Sequence, residues 1–349
     1  MKGKYKITAN YRKAKYTVVL SRMITVIEDV SGRGKSKFTK AVESGTYACP
    51  VPIKVVHCRT GDESAALSEI TESRGRILIF DDPANFVNET QFVEVIQKSG
   101  CYVIFISHDK VQQYTYSIKD IYKFVCTDKH STLQPKYKEV MKTTLDLPEK
   151  FRVVTEDSGT GYEMVRSYHF DTESAGGRDN VINKVRPCQF YLVDGAAFGA
   201  NVKRVLAKIL DMHTAGVLCM PESFEYTILV WTSVRKLLFN ACVPDATTDC
   251  DFDNYLTYEQ FYTDVLKSAV IGYNKHNLTK YLNNDAVKHQ YIEALEKYCG
   301  VNLRDRAPLT SSQLNALKEL YPVAYNIYVT GGDMLDVQAQ LDDIKNRYQ

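Results

Sequence analysis

Two apolar runs constrain this chain more than any other feature. Residues 77–80 read Ile-Leu-Ile-Phe and deliver Asp81 and Asp82; residues 101–106 read Cys-Tyr-Val-Ile-Phe-Ile and deliver Ser107 and His108. A strand wetted on one face alternates apolar and polar residues. These runs do not alternate, so they need cover on both faces, the condition of a strand inside a parallel sheet. A shorter run, Ile53 to His57, and helix-like segments at about 62–73 and 89–99 lie between and before them. Strands alternating with helices predict an α/β sheet with right-handed crossovers. In such sheets ligands bind at the C-terminal strand ends, where Asp81, Asp82, Ser107 and His108 emerge.

Upstream, residues 23–40 read MITVIEDVSGRGKSKFTK. The β-branched run Ile24 to Ile27 predicts a strand, Gly32 and Gly34 a turn, and Lys35-Ser36 the start of a helix reaching about Ser44. That order is what phosphate binding demands. Backbone N–H groups of Ser31, Gly32, Arg33 and Gly34 curl round oxygens, Lys35 reaches the β/γ-phosphates, and Ser36 offers a hydroxyl to Mg²⁺. The helix N-terminus faces the anion. Asp29 stands where the pattern G-x-x-x-x-G-K-[ST] has its first glycine; aspartate tolerates positive φ but adds negative charge. The alternative is a strand-turn-helix connection with a solvated lysine. For Asp81-Asp82, likewise, the alternatives are Mg²⁺ held by Asp81 with Asp82 polarising the attacking water, or an Asp-Pro turn.

Before the loop, Lys4 to Asn10 and Lys15 to Leu20 alternate as a hairpin around Tyr11 to Ala14, and the first 22 residues carry seven Lys/Arg and no acid. A lysine-protected edge and a nucleic-acid-contacting edge are both consistent with that. A last strand is expected at about 120–126. The succession of phosphate loop, extra strand, acid-ended strand and polar-ended strand resembles the P-loop ATPases in which a further strand lies between the two Walker strands. That resemblance implies a sheet order 5-1-4-3-2, ATP and Mg²⁺ as ligands, and Ser107 or His108 as γ-phosphate sensor. The hairpin is similar to the start of ABC-type heads, without their coiled-coil insertion or signature motif.

A Pro-containing segment, 145–150, separates this half from a second one in which the pattern restarts. The charge changes with it: residues 1–150 hold 24 Lys+Arg against 17 Asp+Glu, and residues 151–349 hold 20 against 25. Three runs end in acids: Phe151 to Thr155 in Glu156 and Asp157, Phe190 to Val193 in Asp194, and Gly216 to Met220 in Glu222 and Glu225. Converging carboxylates hold divalent metal for phosphoryl chemistry; single ones more commonly cap the next helix. The arrangement resembles the TOPRIM fold of topoisomerases, primases and overcoming-lysogenization-defect nucleases. By that resemblance Glu156 and Asp194 are the catalytic acids, and Ala196 replaces the usual second aspartate, so Asp157, Glu222 or Glu225 would complete a Mg²⁺ or Mn²⁺ site. Gly176-Gly177 and Arg178 are a turn that either lines the same edge or is only a turn.

The fold expected is therefore α/β: a parallel P-loop NTPase sheet with flanking helices (residues 1–146), a TOPRIM-like α/β domain (151–232) and a helical C-terminal region (233–349). Asp245, Asp249, Asp251 and Asp253 lack the glycine and glutamate of a Ca²⁺ loop and read as solvated. The 24 tyrosines and the histidines form no metal spacing and read as packing. Nine scattered cysteines without a C-x-x-C pair predict thiols rather than a disulfide framework or zinc site. No run approaches the ~18 apolar residues of a membrane span, so a cytoplasmic protein without membrane contact is expected. The resemblance implies an ATP hydrolase acting on nucleic acid through a metal-dependent nuclease. The other reading is a nucleotide-dependent switch or scaffold whose acidic domain binds a protein partner or a second copy of the chain.

Overall fold

The computed structural model describes residues 1–28, 34–107, 111–127, 129–137, 152–168, 171–186, 189–211, 216–238, 242–269 and 285–299. The chain is mixed α/β and divides into two compact units. The first comprises Met1–Tyr137 with Asp245–Phe261, the second Lys138–Pro244 with Tyr262–Gln349.

In the first unit the strands are β1 (Tyr5–Tyr11), β2 (Ala14–Leu20), β3 (Ile24–Ile27), β4 (Tyr47–Ala48), β5 (Ile53–Val56), β6 (Ile77–Asp81), β7 (Tyr102–Ile106), β8 (Ile121–Thr127) and β9 (His130–Pro135). The helices are α1 (Lys35–Glu43), α2 (Glu63–Thr71) and α3 (Thr90–Lys98). The strands form one sheet in the order β4-β1-β2-β9-β8-β3-β7-β6-β5. Its segment β8-β3-β7-β6-β5 is parallel throughout and runs 5-1-4-3-2, the order expected. Ile77 to Phe80 and all of β7 are buried, as their unbroken apolar runs require.

The remaining four strands extend that core. The β1–β2 hairpin pairs Tyr11 with Ala14 across the two-residue turn Arg12-Lys13. Inward residues Ile7, Ala9, Tyr16, Val18 and Leu20 alternate with exposed or half-exposed ones, the period-two pattern that fixes register. The hairpin joins the sheet through β9, which pairs parallel with β2 and antiparallel with β8. Tyr16, Phe38 and Phe124 bind α1 to this seam, with ring centroids 5.6–5.8 Å apart.

Residues 245–261 belong to this unit, whereas the sequence reading assigned them to the C-terminal region. Phe252 N–H donates to the Met1 carbonyl at 2.9 Å, the Tyr258 hydroxyl donates to the Ser21 carbonyl at 2.6 Å, and the Arg22 guanidinium lies 3.9 Å from the Tyr258 ring centre. The aspartates read as solvated have structural duties here. Asp245 caps a short helix, α4 (Ala246–Asp249), by accepting from Thr247 N–H at 2.9 Å, and Asp253 pairs with the Met1 ammonium at 3.1 Å.

The second unit is built on β10 (Arg152–Thr155), β11 (Thr172–Ser174), β12 (Gln189–Leu192) and β13 (Gly216–Cys219), all parallel, in the order β11-β10-β12-β13. Four strands stand where three were expected, because β11 is a short half-exposed edge. The helices, named on from α4, are α5 (Thr160–Arg166), α6 (Val202–Asp211), α7 (Phe224–Trp231), α8 (Tyr258–Ala269), within which the unit boundary falls, and α9 (Asp285–Cys299). Cys49, Cys58, Cys101, Cys126, Cys242 and Cys250 are free thiols, but Cys219 is disulfide-bonded, which corrects the uniformly reduced state expected. Among the described residues no helix is long and apolar enough to cross a membrane.

Candidate functional sites

In the first unit, backbone pairing brings the expected groups to one edge. Asp81 lies opposite Ile106, and Ile106 opposite Ile27, so the ends of β6, β7 and β3 are abreast. Ser107 N–H donates to the Ile27 carbonyl at 3.2 Å and Asp82 N–H to the Ile106 carbonyl at 2.9 Å. Ser107 is buried, and Asp82 is exposed with φ of 49°. Aspartate is among the few residues that tolerate this conformation. His108, Asp29, Ser31, Gly32 and Arg33 lie outside the described residues.

Helix α1 starts at this edge for a local reason. Its N-cap Gly34 has φ of 94°, and its carbonyl accepts from Lys37 and Phe38 N–H at 3.1 and 3.0 Å. A Cβ at Gly34 would lie 2.9 Å from the Tyr16 hydroxyl. Glycine is thus required twice, by backbone angle and by the ring that anchors the helix. Lys35 opens the helix and is half-buried, while Ser36 is exposed.

Asp81 connects strand and helix. Burial pushes its carboxyl above the ordinary carboxylate range; a hydrogen bond from the Thr39 side chain opposes that, Asp82 and Glu43 add to the rise, and Lys35 lowers it. The sequence reading missed Thr39, although its spacing of four from Lys35 places both on one helix face. It also missed Lys136, whose ammonium donates to the buried carboxylate of Glu28 at 2.7 Å just before the phosphate-loop stretch. A partner 108 residues away has no local signal.

In the second unit the strand order reverses between β10 and β12, the switch point where open parallel sheets form a crevice. Glu156 and Asp194 follow these two strands, and the Glu156 carboxylate accepts from Asp194 N–H at 2.9 Å. The Asp194 carboxylate accepts from Ala196 N–H at 2.9 Å, so it also closes its own turn. Gly195 seats that turn on the next strand: its N–H donates to the Pro221 carbonyl at 2.7 Å, and a Cβ there would lie 2.3 Å from that oxygen and 2.7 Å from the Met220 oxygen. Carboxylate oxygens of Asp194 and Glu225 consequently come within 4.8 Å. Glu225 is in the first turn of α7, whose N-cap Ser223 accepts from Tyr226 N–H at 3.0 Å; the buried Glu222 immediately precedes it.

Asp157 has a separate duty. It accepts from Gly159 N–H at 3.1 Å, and from the N–H groups of Gly161 and Tyr162, at the start of α5; burial nevertheless keeps its carboxyl above the ordinary range. The Gly176-Gly177 turn does border this edge, since Gly177 N–H donates to the Glu156 carbonyl at 2.8 Å and Arg178 Nη1 donates to the Ala197 carbonyl at 3.3 Å. Tyr291 of α9, read from sequence as packing, is buried and stacks edge-on to Phe224 at 5.0 Å. Burial, then Asp157, Glu225 and Asp194, raise its phenol well above the ordinary tyrosine value, which places it beside the acids as a neutral hydroxyl. Oxygen-only donors at this spacing suit a hard divalent cation. No protein-family model, curated protein or solved structure matches this chain.

Proposed function

We propose that the first unit binds ATP with Mg²⁺ at the C-terminal edge of β3, β6 and β7 and hydrolyses it. One observation carries the reading: Asp81, raised by burial, stands beside Thr39 and Lys35 of a helix that begins at the same sheet edge. In this reading Lys35 neutralises β/γ-phosphate oxygens, and Ser36 and Asp81 hold the cation, which when bound offsets phosphoryl charge. Asp82 orients water and Ser107 senses the γ-phosphate. Lys35→Ala should abolish ATP binding, measured by calorimetry, in a chain whose circular dichroism is unchanged. Unaltered ATP affinity in that folded variant refutes the assignment.

For the second unit the proposal is metal-dependent phosphodiester chemistry on nucleic acid, with Glu156, Asp194 and Glu225 as the cation's oxygen ligands and Glu222 near them. A specific observation favours the alternative, a nucleotide-dependent switch or scaffold. The carboxylates of Glu156, Asp194 and Asp157 each already accept backbone N–H groups, as turn-closing and capping acids do. Mn²⁺ separates the two. A metal site predicts that Mn²⁺ raises the melting temperature and that Glu156→Gln, which keeps an acceptor for Asp194 N–H, removes the gain. Equal Mn²⁺ response in both chains supports the scaffold.

A further inference from the structure

A cavity of about 350 Å³ in the first unit is lined by Tyr11, Arg12, Lys13, Ala14, Lys37 and Lys129. It lies where the tip of the β1–β2 hairpin, the first turn of α1 and the β8–β9 connection meet. Among the described residues, four of the six that line it are cations and none is an acid. All four cations are exposed, and among the described residues none of them has a carboxylate partner. Elsewhere in this unit some cations are matched, Lys136 with Glu28, Arg22 with Asp120, Lys54 with Glu69 and Lys98 with Glu94, while exposed lysines such as Lys6, Lys15 and Lys40 have no ion pair among the described residues. Four like charges round one cavity repel one another, a cost that an anion inside would offset.

Two further features indicate which anion. The Arg12 guanidinium lies 5.5 Å from the centre of the Tyr11 ring, so two planar groups stand at the cavity. An inorganic phosphate has no use for planar groups, whereas a base stacks on both tyrosine rings and guanidinium planes. Arg12 is also held at φ of 53°, and it is the only positive φ of the two turn residues. That pattern favours glycine at the first turn position and asparagine or serine at the second, yet the chain places Arg and Lys there. Local turn preference does not explain this choice.

We infer that this cavity binds single-stranded nucleic acid, with Arg12, Lys13, Lys37 and Lys129 on backbone phosphates and Tyr11 with Arg12 against a base. The inference rests on the nucleic-acid part of the function proposed above and not on its nucleotide part. The same phosphate-and-base chemistry is offered by a free nucleotide, so the test must separate the two sources.

The test compares the full chain with the double variant Arg12→Gly, Lys13→Asn. These substitutions remove two charges while giving the hairpin its preferred turn, so the variant should melt no lower than the parent. Anisotropy of a fluorescein-labelled oligothymidylate of roughly 16 nucleotides is followed across a salt series. The variant should bind more weakly, and its slope of log affinity against log salt should be shallower by about 1.4, two phosphates at ~0.7 each. ATP affinity should be unchanged, and Lys35→Ala should show the converse. The proposal is overturned if the parent does not bind the oligonucleotide, if affinity and slope are the same in both chains, or if the double variant loses ATP instead, which would make the cavity part of the nucleotide site.

Discussion

Gly34→Ala tests whether the start of α1 is positioned as described. At φ of 94° an alanine pays a left-handed backbone cost of about 1–2 kcal/mol. Its Cβ also meets the Tyr16 hydroxyl at 2.9 Å, closer than packed atoms tolerate. Tyr16 is buried against Phe38 and Phe124 and has no room to swing away, so overpacking adds ~1–3 kcal/mol. Together the substitution should cost about 2–5 kcal/mol. Tyr16→Phe removes the clashing oxygen and leaves ring carbon Cε1 as the nearest atom, at an ordinary 3.5 Å. In that background the cost of alanine should fall to the backbone part, about 1–2 kcal/mol. The cycle should therefore show a coupling of ~1–3 kcal/mol between positions 16 and 34. Hydrogen exchange of peptides covering residues 34–43 reads it locally, which suits a chain of two units whose global unfolding need not be two-state. An identical cost of alanine in both backgrounds would refute the close approach as a reason for glycine.

Asp81→Asn should stabilise the nucleotide-free chain at neutral pH. The folded-state carboxyl is raised, so the folded chain binds more protons than the unfolded one between the ordinary aspartate value, about 4, and its raised value; stability falls as pH rises through that window. The melting-temperature difference, variant minus parent, should grow with pH there, and a flat difference would mean the carboxyl is not buried. Gly195→Ala should disrupt the second unit more than Gly34→Ala does the first, because its Cβ meets two backbone oxygens, at 2.3 and 2.7 Å, which no side-chain truncation can remove. Separation of Asp194 from Glu225 should follow, seen as loss of any Mn²⁺-induced rise in melting temperature; a variant with parental stability would sink this account of the turn.

The sequence was informative where burial leaves one solution. Unbroken apolar runs identify β6 and β7, and alternation around Tyr11 to Ala14 identifies the hairpin and its register, because a one-residue slip would expose Tyr16 and Val18. It was uninformative where an element is short and stabilised by neighbours: β4, β9 and β11 have two to six residues each and no periodicity strong enough to read. Candidate side chains follow the same rule. Acids at strand ends are visible in sequence, and Asp81, Glu156 and Asp194 do stand at sheet edges. Groups that stand near them, Thr39 on α1 by Asp81 and Tyr291 on α9 by Asp194, reach them only through tertiary packing. Residues 245–261 illustrate the same point, since aspartates that look solvated find an ammonium and backbone N–H groups contributed by remote or irregular chain.

The two acidic edges differ in the side chains that stand beside their carboxylates, and on the function proposed here that difference separates their chemistry. Asp81 has a lysine and a hydroxyl for neighbours on a helix that starts beside it, along with the acids Asp82 and Glu43. A cation there meets Lys35 repulsion unless an anion such as a triphosphate takes up the lysine charge, so on the function proposed here metal and nucleotide should bind together, neither well without the other. Asp194 and Glu225 face each other within 4.8 Å, with the neutral phenol of Tyr291 beside them. On the metal-site reading proposed above, two carboxylates so placed attract a divalent ion without help from a ligand. Calorimetric titration with Mn²⁺ alone should therefore give one binding event in the parent chain, abolished by Glu225→Gln and untouched by Asp81→Asn, with a second event appearing only after a non-hydrolysable ATP analogue is added. An Mn²⁺ event without nucleotide that Asp81→Asn removes would reverse the assignment of the two edges.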